Sequence, residues 1–415
     1  MSVDRRVSAE LEEALARLLP DPPPTLGVAV SGGGDSMALL HLLHGWCAAR
    51  EVRLRAVTVD HGLRPEAAAE AALAGRACAA LGVAHDILRW EGWNGQGNLQ
   101  DAARRARARL IAGWAGAAGI DHVAQGHTRD DQAETVLMRL ARGSGVDGLA
   151  GIAPRALHGG LVWLRPLLEV SRADLRAVLE ARGIGWAEDP SNADTRFDRV
   201  RARQLLERLQ PLGLEAGRLA ATASRMRAAA RVLDAAARGL AEAACEVRHA
   251  AIWIDRSAFD TAEEDTRLRL LSGALRWVSG AEYRPRLAAL RTLAESGGTL
   301  SGCRVIDCGA ERFAVLREAA ALEGVHAAPG ENWDGHWRVT GPARHGLRVA
   351  ALGARGVQLC PGWRDAGLPR ALLEASPAVW NGEHLVAAPL ADPEAGWQAW
   401  AYRGRDDFAA FLGPH

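Results

Sequence analysis

From Leu26 to about residue 150 the chain alternates short apolar runs with segments of helical period, and this restricts the fold more than any other feature. Leu26-Gly-Val-Ala-Val30 is an apolar run that stops at a Gly-rich turn, the pattern of a buried parallel strand. Ser36 to Arg50 carries Met37, Leu39, Leu40, Leu42, Leu43 and Trp46 and reads as a helix. Leu54 to Val59 is a second strand, Pro65 to Leu81 a helix with Pro in its first turn, and Val83 to Leu88 a third strand. Leu99 to Ala118 is an Arg-rich helix, His122 to Gln125 a fourth strand, and Asp130 to Arg142 a further helix. The alternation predicts an α/β domain with a doubly wound parallel sheet and ligands at the carboxyl ends of its strands.

The rest of the chain is patterned differently. Met1 to Leu19 reads as an amphipathic helix, not a leader. Residues 171–182 and 197–209 read as helices around the loop Glu188-Asp-Pro-Ser-Asn192, and Leu214 to Ala244 and residues 265–295 are also helical in pattern. Strand-like pieces follow at Cys303 to Asp307, Phe313 to Leu316, Trp337 to Thr340 and Leu385 to Ala388. We therefore expect a catalytic domain over 1–210, a helical middle domain over 211–320 and a smaller mixed α/β domain over 321–415.

Composition excludes several classes of function. Charged residues make up 24% and hydrophobic residues 48%, as in a soluble globular protein. No apolar run of about 18 residues exists, so no membrane span is expected, and a cytoplasmic protein is. The six cysteines are scattered with no Cys-x-x-Cys pair, which fits free thiols in a reducing compartment. All 50 of the Lys+Arg residues are Arg. Without lysine there is no Walker A loop and no Schiff-base chemistry. Net charge is zero, so a nucleic-acid surface would have to be a local patch.

Ser31-Gly-Gly-Gly-Asp-Ser36 lies between the first strand and its helix. The glycines (Gly32, Gly33, Gly34) permit a sharp turn and close approach of backbone to a phosphate. The helix start aims free N–H groups into the same space, and Ser31 and Ser36 add hydroxyls. Asp35 would repel a phosphate unless it caps the helix or faces a metal ion, and Mg²⁺ bridging carboxylate and phosphate removes the conflict. A dinucleotide Gly-x-Gly-x-x-Gly pattern fails because Met37 stands where its last Gly belongs. The hexapeptide resembles the SGGxDS signature of PP-loop ATP pyrophosphatases, which split ATP between the α and β phosphates and transfer AMP to a substrate oxygen.

Four further strings narrow the resemblance. Val59-Asp-His-Gly-Leu-Arg64 ends the second strand, which puts Asp60 near a ribose, adenine or metal, or makes it a turn cap. Gly126-His-Thr-Arg-Asp-Asp-Gln-Ala-Glu-Thr135 follows the fourth strand and opens a helix. There Asp131 and Glu134, three apart, share a face. With His127 they suit Mg²⁺, or a cationic amine whose proton must be managed, although first-turn acids also complement a helix dipole. Asn98 to Arg107 forms an Arg-bearing helix, and Asp189-Pro-Ser-Asn192 precedes Arg196, Arg199, Arg201 and Arg203, a run suited to phosphate backbones or to a solvated helix face.

Together these strings resemble the VDHxLR, HHxDDQxET and DPSN…R-N-R elements and the arginine-bearing helix of the tRNA(Ile)-lysidine synthase family. This chain departs from them at Thr128, Ala108 and Val200. Thr128 in place of a second His argues against a two-histidine metal site. The resemblance is specific over residues 25–205 and looser toward the C-terminus, where most Trp residues are expected in the core. It implies ATP and Mg²⁺ as cofactors and tRNA(Ile) with a CAU anticodon and free L-lysine as substrates. Asp35, His127, Asp131, Glu134 and Arg107 would then be catalytic, with Ser31 to Ser36 and Asp60 on the nucleotide and Asp35 on the metal. It leaves oligomeric state open, a homodimer being one option. The alternatives are another PP-loop adenylating enzyme, for tRNA thiolation or amide synthesis, and an inactive RNA-binding protein on the same scaffold.

Overall fold

The computed structural model describes residues 2–62, 66–91, 99–188, 196, 198–342, 345–393, 396–402 and 405–413. Leu63, Arg64, Pro65, Asn98, residue 197 and the segment Asp189 to Asn192 named above lie outside these residues. The chain divides into two compact units, residues 1–230 and 231–414.

The first unit begins with α1 (Val3–Leu18), capped by Ser2 and burying Val7, Leu11 and Leu15 along one stripe. The succession β1 (Thr25–Ala29), α2 (Gly34–Ala48), β2 (Arg53–Asp60), α3 (Glu66–Ala80), β3 (Ala84–Arg89), α4 (Leu99–Ala117), β4 (His122–Gln125) and α5 (Arg129–Ala141) matches the predicted alternation. A short α6 (Val146–Leu149), the strands β5 (Arg155–His158) and β6 (Leu161–Leu164), α7 (Arg172–Ala181) and α8 (Asp198–Leu209) follow. α9 (Ala216–Ala244) then runs past the end of the unit.

The six strands form one sheet in the order β3-β2-β1-β4-β6-β5. All neighbours pair in parallel except β5, which pairs antiparallel with β6 at the edge. Side chains alternate across the sheet as strand geometry requires. Leu26, Val28, Val30, Leu54 and Ala56 join α1, α2 and α7 in one core, while Val57, Val123 and Trp163 join Ile111 and Ala115 of α4 in another. α2 is apolar on nearly every side and is buried almost all round, as a central helix must be. Each of its large apolar side chains contributes roughly 1.5–3 kcal/mol by leaving water. Sheet order reverses between β1 and β4. The chain therefore leaves these neighbours in opposite directions and opens a crevice at their carboxyl ends.

In the second unit, β7 (Cys245–Arg248) and β8 (Ala251–Asp255) precede α10 (Arg256–Thr261), α11 (Glu264–Ser279) and α12 (Leu287–Ser296). β9 (Gly298–Leu300), β10 (Cys303–Asp307) and β11 (Arg312–Arg317) complete an antiparallel five-stranded sheet in the order β7-β8-β11-β10-β9. The helical stretch expected over 265–295 is broken, because Gly280 takes φ +70° and ends α11. Two three-stranded sheets follow. One joins β12 (Asn332–Trp333), β13 (Trp337–Thr340) and β17 (Gln398–Ala401). The other joins β14 (Leu347–Ala351), β15 (Pro377–Asn381) and β16 (His384–Ala387). Trp333, Trp337, Trp380 and Trp397 are buried in this core, as expected, and Trp400 is exposed. Among the described residues no helix is long and apolar enough to cross a membrane.

Candidate active site

The loop after β1 is shaped by its glycines and braced by its serines. Gly32 takes φ +85°, and a Cβ there would sit 2.8 Å from the Glu70 carbonyl oxygen, so only glycine fits. Gly33 caps α2 without a side chain, leaving the first N–H groups of the helix open to the crevice. Ser36 Oγ donates to Gly33 O at 2.9 Å, accepts from Ser31 N–H at 3.0 Å and lies 3.2 Å from Ser31 Oγ. On the other flank, Ala187 N–H donates to Gly32 O at 2.9 Å, and Trp186 packs beside Gly34. The result is a rigid concave loop at a helix N-terminus, the physical requirement for holding a phosphate.

Across the crevice, β4 is followed by Gly126, where a Cβ would meet Asp35 O at 2.9 Å and Asp35 C at 3.0 Å. This close approach brings the start of α5 against the loop. Thr128 caps α5 in a reciprocal box. Its N–H and hydroxyl donate to Asp131 Oδ2 at 2.8 and 2.9 Å, and its Oγ1 accepts from Asp131 N–H at 3.3 Å. The cap occupies one oxygen of Asp131 and turns the other, Oδ1, toward the crevice. Thr128 at the family's second histidine position thus has a structural task.

Three of the expected residues meet on one side chain that sequence reasoning did not name. Arg172, the first residue of α7, donates from Nε to Asp35 Oδ2 at 3.1 Å and from Nη2 to Asp131 Oδ1 at 3.1 Å. Its Nη1 lies 3.6 Å from Glu134 Oε1, and its backbone N–H donates to Asp130 Oδ2 at 2.8 Å. Arg203 of α8, one of the arginine run noted above, donates from Nε to Glu134 Oε1 at 2.9 Å. Carboxylates therefore outnumber the guanidinium groups bonded to them. Glu134 is 1% exposed, yet among the described residues its second oxygen Oε2 has no hydrogen-bond partner, and neither has Thr135 Oγ1 beside it in sequence. Unpaired buried polar atoms ask for a partner that the folded chain does not supply, such as a water or a ligand. Among the described residues no group of three or more His, Cys, Asp or Glu is placed to hold a metal by itself.

Protonation follows from this packing. Burial raises the pKa of Asp35, and Arg172 offsets only part of the rise. Burial likewise raises Glu134, against the pull of Arg203 and Arg172. Burial also opposes ionisation of Asp131, but the Arg172 charge and the bonds from Thr128 outweigh it and hold this carboxyl below the usual aspartate range. His127 is driven down to about 4 by burial, with Arg165, Arg199 and Arg104 adding to the effect against Asp131. It is a neutral imidazole at physiological pH, and its Nδ1 has no hydrogen-bond partner.

The remaining expected residues have other partners. Arg107 reaches the His61 ring, with Nε 3.2 Å and Nη2 3.0 Å from Nε2. Crowding by protein and then the charge of Arg104 hold its pKa below the ordinary arginine value. Asp60 Oδ1 accepts from Gly62 N–H at 2.9 Å, the turn cap that was one of its two readings. Trp186 also escaped sequence reasoning, although it touches the phosphate loop and its Nε1 has no hydrogen-bond partner.

Comparison with known proteins agrees with this geometry. Residues 4–209 match the model of the PP-loop domain. The chain is 47% identical to tRNA(Ile)-lysidine synthase of Ruegeria pomeroyi, with 96% of each chain covered. It is 40% identical to the enzyme of the same name from Rhizobium meliloti, over 86% of this chain and 82% of that one. For the Hyphomonas neptunium enzyme the identity is 42%, over 72% and 83%. With a PP-loop domain at its N-terminal end and these relatives matched along their length, the chain is an ATP-dependent ligase and belongs to the tRNA(Ile)-lysidine synthase family.

Proposed function

We propose that this protein joins free L-lysine to C2 of the wobble cytidine of tRNA(Ile) with anticodon CAU, consuming ATP and releasing AMP and pyrophosphate. The cytidine O2 attacks the α-phosphorus, and the bond to pyrophosphate breaks. The lysine ε-amine then bonds to C2, the C2–O bond breaks, AMP departs, and the amine gives up its proton. The observation that supports this most is the carboxylate cluster beside the phosphate loop, in which Asp131 Oδ1 bonds Arg172 and the buried Glu134 Oε2 has no partner among the described residues. A buried carboxylate in excess of its cations suits an ammonium group. Such a site both holds the lysine and places an acceptor for its proton.

The loop residues Ser31 to Ser36 would cradle the phosphates of ATP, and Asp35 would face Mg²⁺. Asp35 alone is too few ligands for a protein-built site, but Mg²⁺ commonly takes one carboxylate and completes its shell with phosphate oxygens and water. Bound there, Mg²⁺ would neutralise charge on the departing pyrophosphate. His127, neutral and buried, would hydrogen-bond the cytidine or its adenylate, and Arg107 would meet the adenylate phosphate or the tRNA. Asp60 would reach the ribose or adenine. We assign residues 1–210 to catalysis and 211–320 and 321–415 to holding the tRNA. A reducing cytoplasm suits the six free cysteines, five of them buried. Oligomeric state enters none of these roles.

Glu134→Gln tests the amine site while keeping shape. KM for lysine should rise at least about tenfold, the worth of roughly 1.4 kcal/mol, whereas pyrophosphate release without lysine should persist. An unchanged lysine saturation curve would remove Glu134 from this role.

A further inference from the structure

Arg172 joins groups that the proposed reaction assigns to different substrates. Its Nε holds Asp35, at the phosphate loop, and its Nη2 and Nη1 lie 3.1 and 3.6 Å from Asp131 and Glu134, at the amine side. The three carboxylates belong to two helices, α2 and α5, and the guanidinium comes from a third, α7. Its position is electrostatically adverse, because a cation at the first residue of a helix faces the positive end of the dipole. The carboxylates overcome this. Burial works against the Arg172 charge, but Asp131, Asp35 and Glu134 raise its pKa above the ordinary arginine value.

The partners of Arg172 are fixed independently of it. Asp131 is held by the Thr128 cap, and Glu134 by Arg203. Asp35 is carried by the first turn of α2, packed under Gly126. Among the described residues the Arg172 guanidinium is bonded to these carboxylates alone. It is also a cation seated where a second cation, the substrate amine, is to be received.

Resting on the amine-site reading above, we propose that Arg172 couples the two substrates: it blocks the amine site in the free protein and vacates it when a nucleotide occupies the loop. The nucleotide phosphates at the start of α2 attract the guanidinium, and a metal ion accompanying them competes for Asp35. Drawn toward the phosphates, Arg172 releases Asp131 Oδ1 and Glu134 to the ammonium group of lysine. Lysine is thereby admitted after ATP, which keeps the amine from filling the cluster before an electrophile can form. Such a positioning residue gives a coupling free energy that acts equally in both directions.

The test is equilibrium dialysis of labelled lysine against the full-length protein. It is run with and without Mg²⁺ and an ATP analogue bearing a methylene bridge between the α and β phosphorus atoms. Wild type should bind lysine about tenfold more tightly with the analogue than without it. Arg172→Gln should bind lysine more tightly than wild type in the absence of nucleotide, and the analogue should no longer improve binding. Arg172→Lys, which keeps the charge but not the fork, should retain part of the nucleotide effect. A purely structural role predicts the opposite sign, weaker lysine binding by Arg172→Gln in both conditions, and that result overturns the proposal. So does a nucleotide effect of full size in Arg172→Gln, or equal lysine affinity of wild type in both conditions. If wild type binds no lysine in either condition while still binding the analogue, the amine-site reading itself fails and the coupling with it. Loss of Arg172→Gln to misfolding leaves Arg172→Lys to decide, since an undiminished nucleotide effect there contradicts a role for the fork.

Discussion

Replacing Gly126 by Ala adds one methyl group at the closest approach between β4 and the phosphate loop. That methyl carbon would lie 2.9 Å from the Asp35 carbonyl oxygen, 3.0 Å from its carbon and 3.1 Å from Ser36 Cα, where ordinary contacts begin at 3.4 Å. All three neighbours are backbone, so no side chain can swing aside. Relief requires the loop to retreat by about half an ångström, and an overpacked contact of this kind costs roughly 1–3 kcal/mol. The retreat displaces the N–H groups of the first turn of α2 from the phosphates. Since a misplacement of about 1 Å can cost 10²-fold, roughly tenfold in kcat/KM for ATP is expected, or about 1.4 kcal/mol. The assay is pyrophosphate release with tRNA(Ile) over a range of ATP concentrations, beside a thermal melt. Gly45→Ala is the control in the same helix. Nothing lies within 4 Å of a Cβ there, so it should stabilise by roughly 0.5–1 kcal/mol and leave ATP kinetics alone. If Gly126→Ala keeps wild-type kcat/KM for ATP, the loop is not positioned by this contact and the reasoning fails.

Two further predictions concern stability. The folded pKa of His127, about 4, lies below its unfolded value near 6.5, so its contribution to stability is full above pH 6.5 and is lost as pH falls toward 4. Between pH 7 and pH 5 this single group accounts for about 2 kcal/mol, and hydrogen exchange of α5 amides should show that much less acid sensitivity in His127→Gln than in wild type. Equal acid sensitivity of the two would mean that His127 titrates normally. In the second unit, Arg269 is 6% exposed at its side chain and donates from Nη1 to Asp234 at 2.7 Å. Asp265 also accepts from the Arg269 Nε, at 2.6 Å, so Asp234→Ala should cost about 1.5–3 kcal/mol by removing one charge-assisted bond, and a melting temperature equal to wild type would contradict it.

Much of the site was legible because its signals are local. The strand–loop–helix at Ser31 to Ser36 and the acids of Gly126 to Thr135 are contiguous strings, and each carries its own structural context. Arg172 escaped because its partners lie 137, 41 and 38 residues away, and only the sheet order brings α2, α5 and α7 together. One sign was available. Ser171-Arg-Ala-Asp174 reads as a helix start, and an arginine at the first helical position, against the dipole, asks for a compensating acid. The bond from Arg203 to Glu134 was not legible, because a run of arginines on a helix does not say which one turns inward. The β7–β8 hairpin was missed for a different reason. Its two-residue turn uses His249 and Ala250, both at positive φ, where glycine and asparagine usually give the signal. The β5–β6 hairpin did carry such a signal, Gly159-Gly160 between two short apolar runs.

The most direct measurement is incorporation of labelled lysine into unmodified tRNA(Ile) bearing CAU, with ATP and Mg²⁺, beside the same tRNA carrying uridine at the wobble position. The account predicts label only with cytidine, together with AMP and pyrophosphate. Pyrophosphate release without lysine incorporation, or equal labelling of the uridine tRNA, would contradict it.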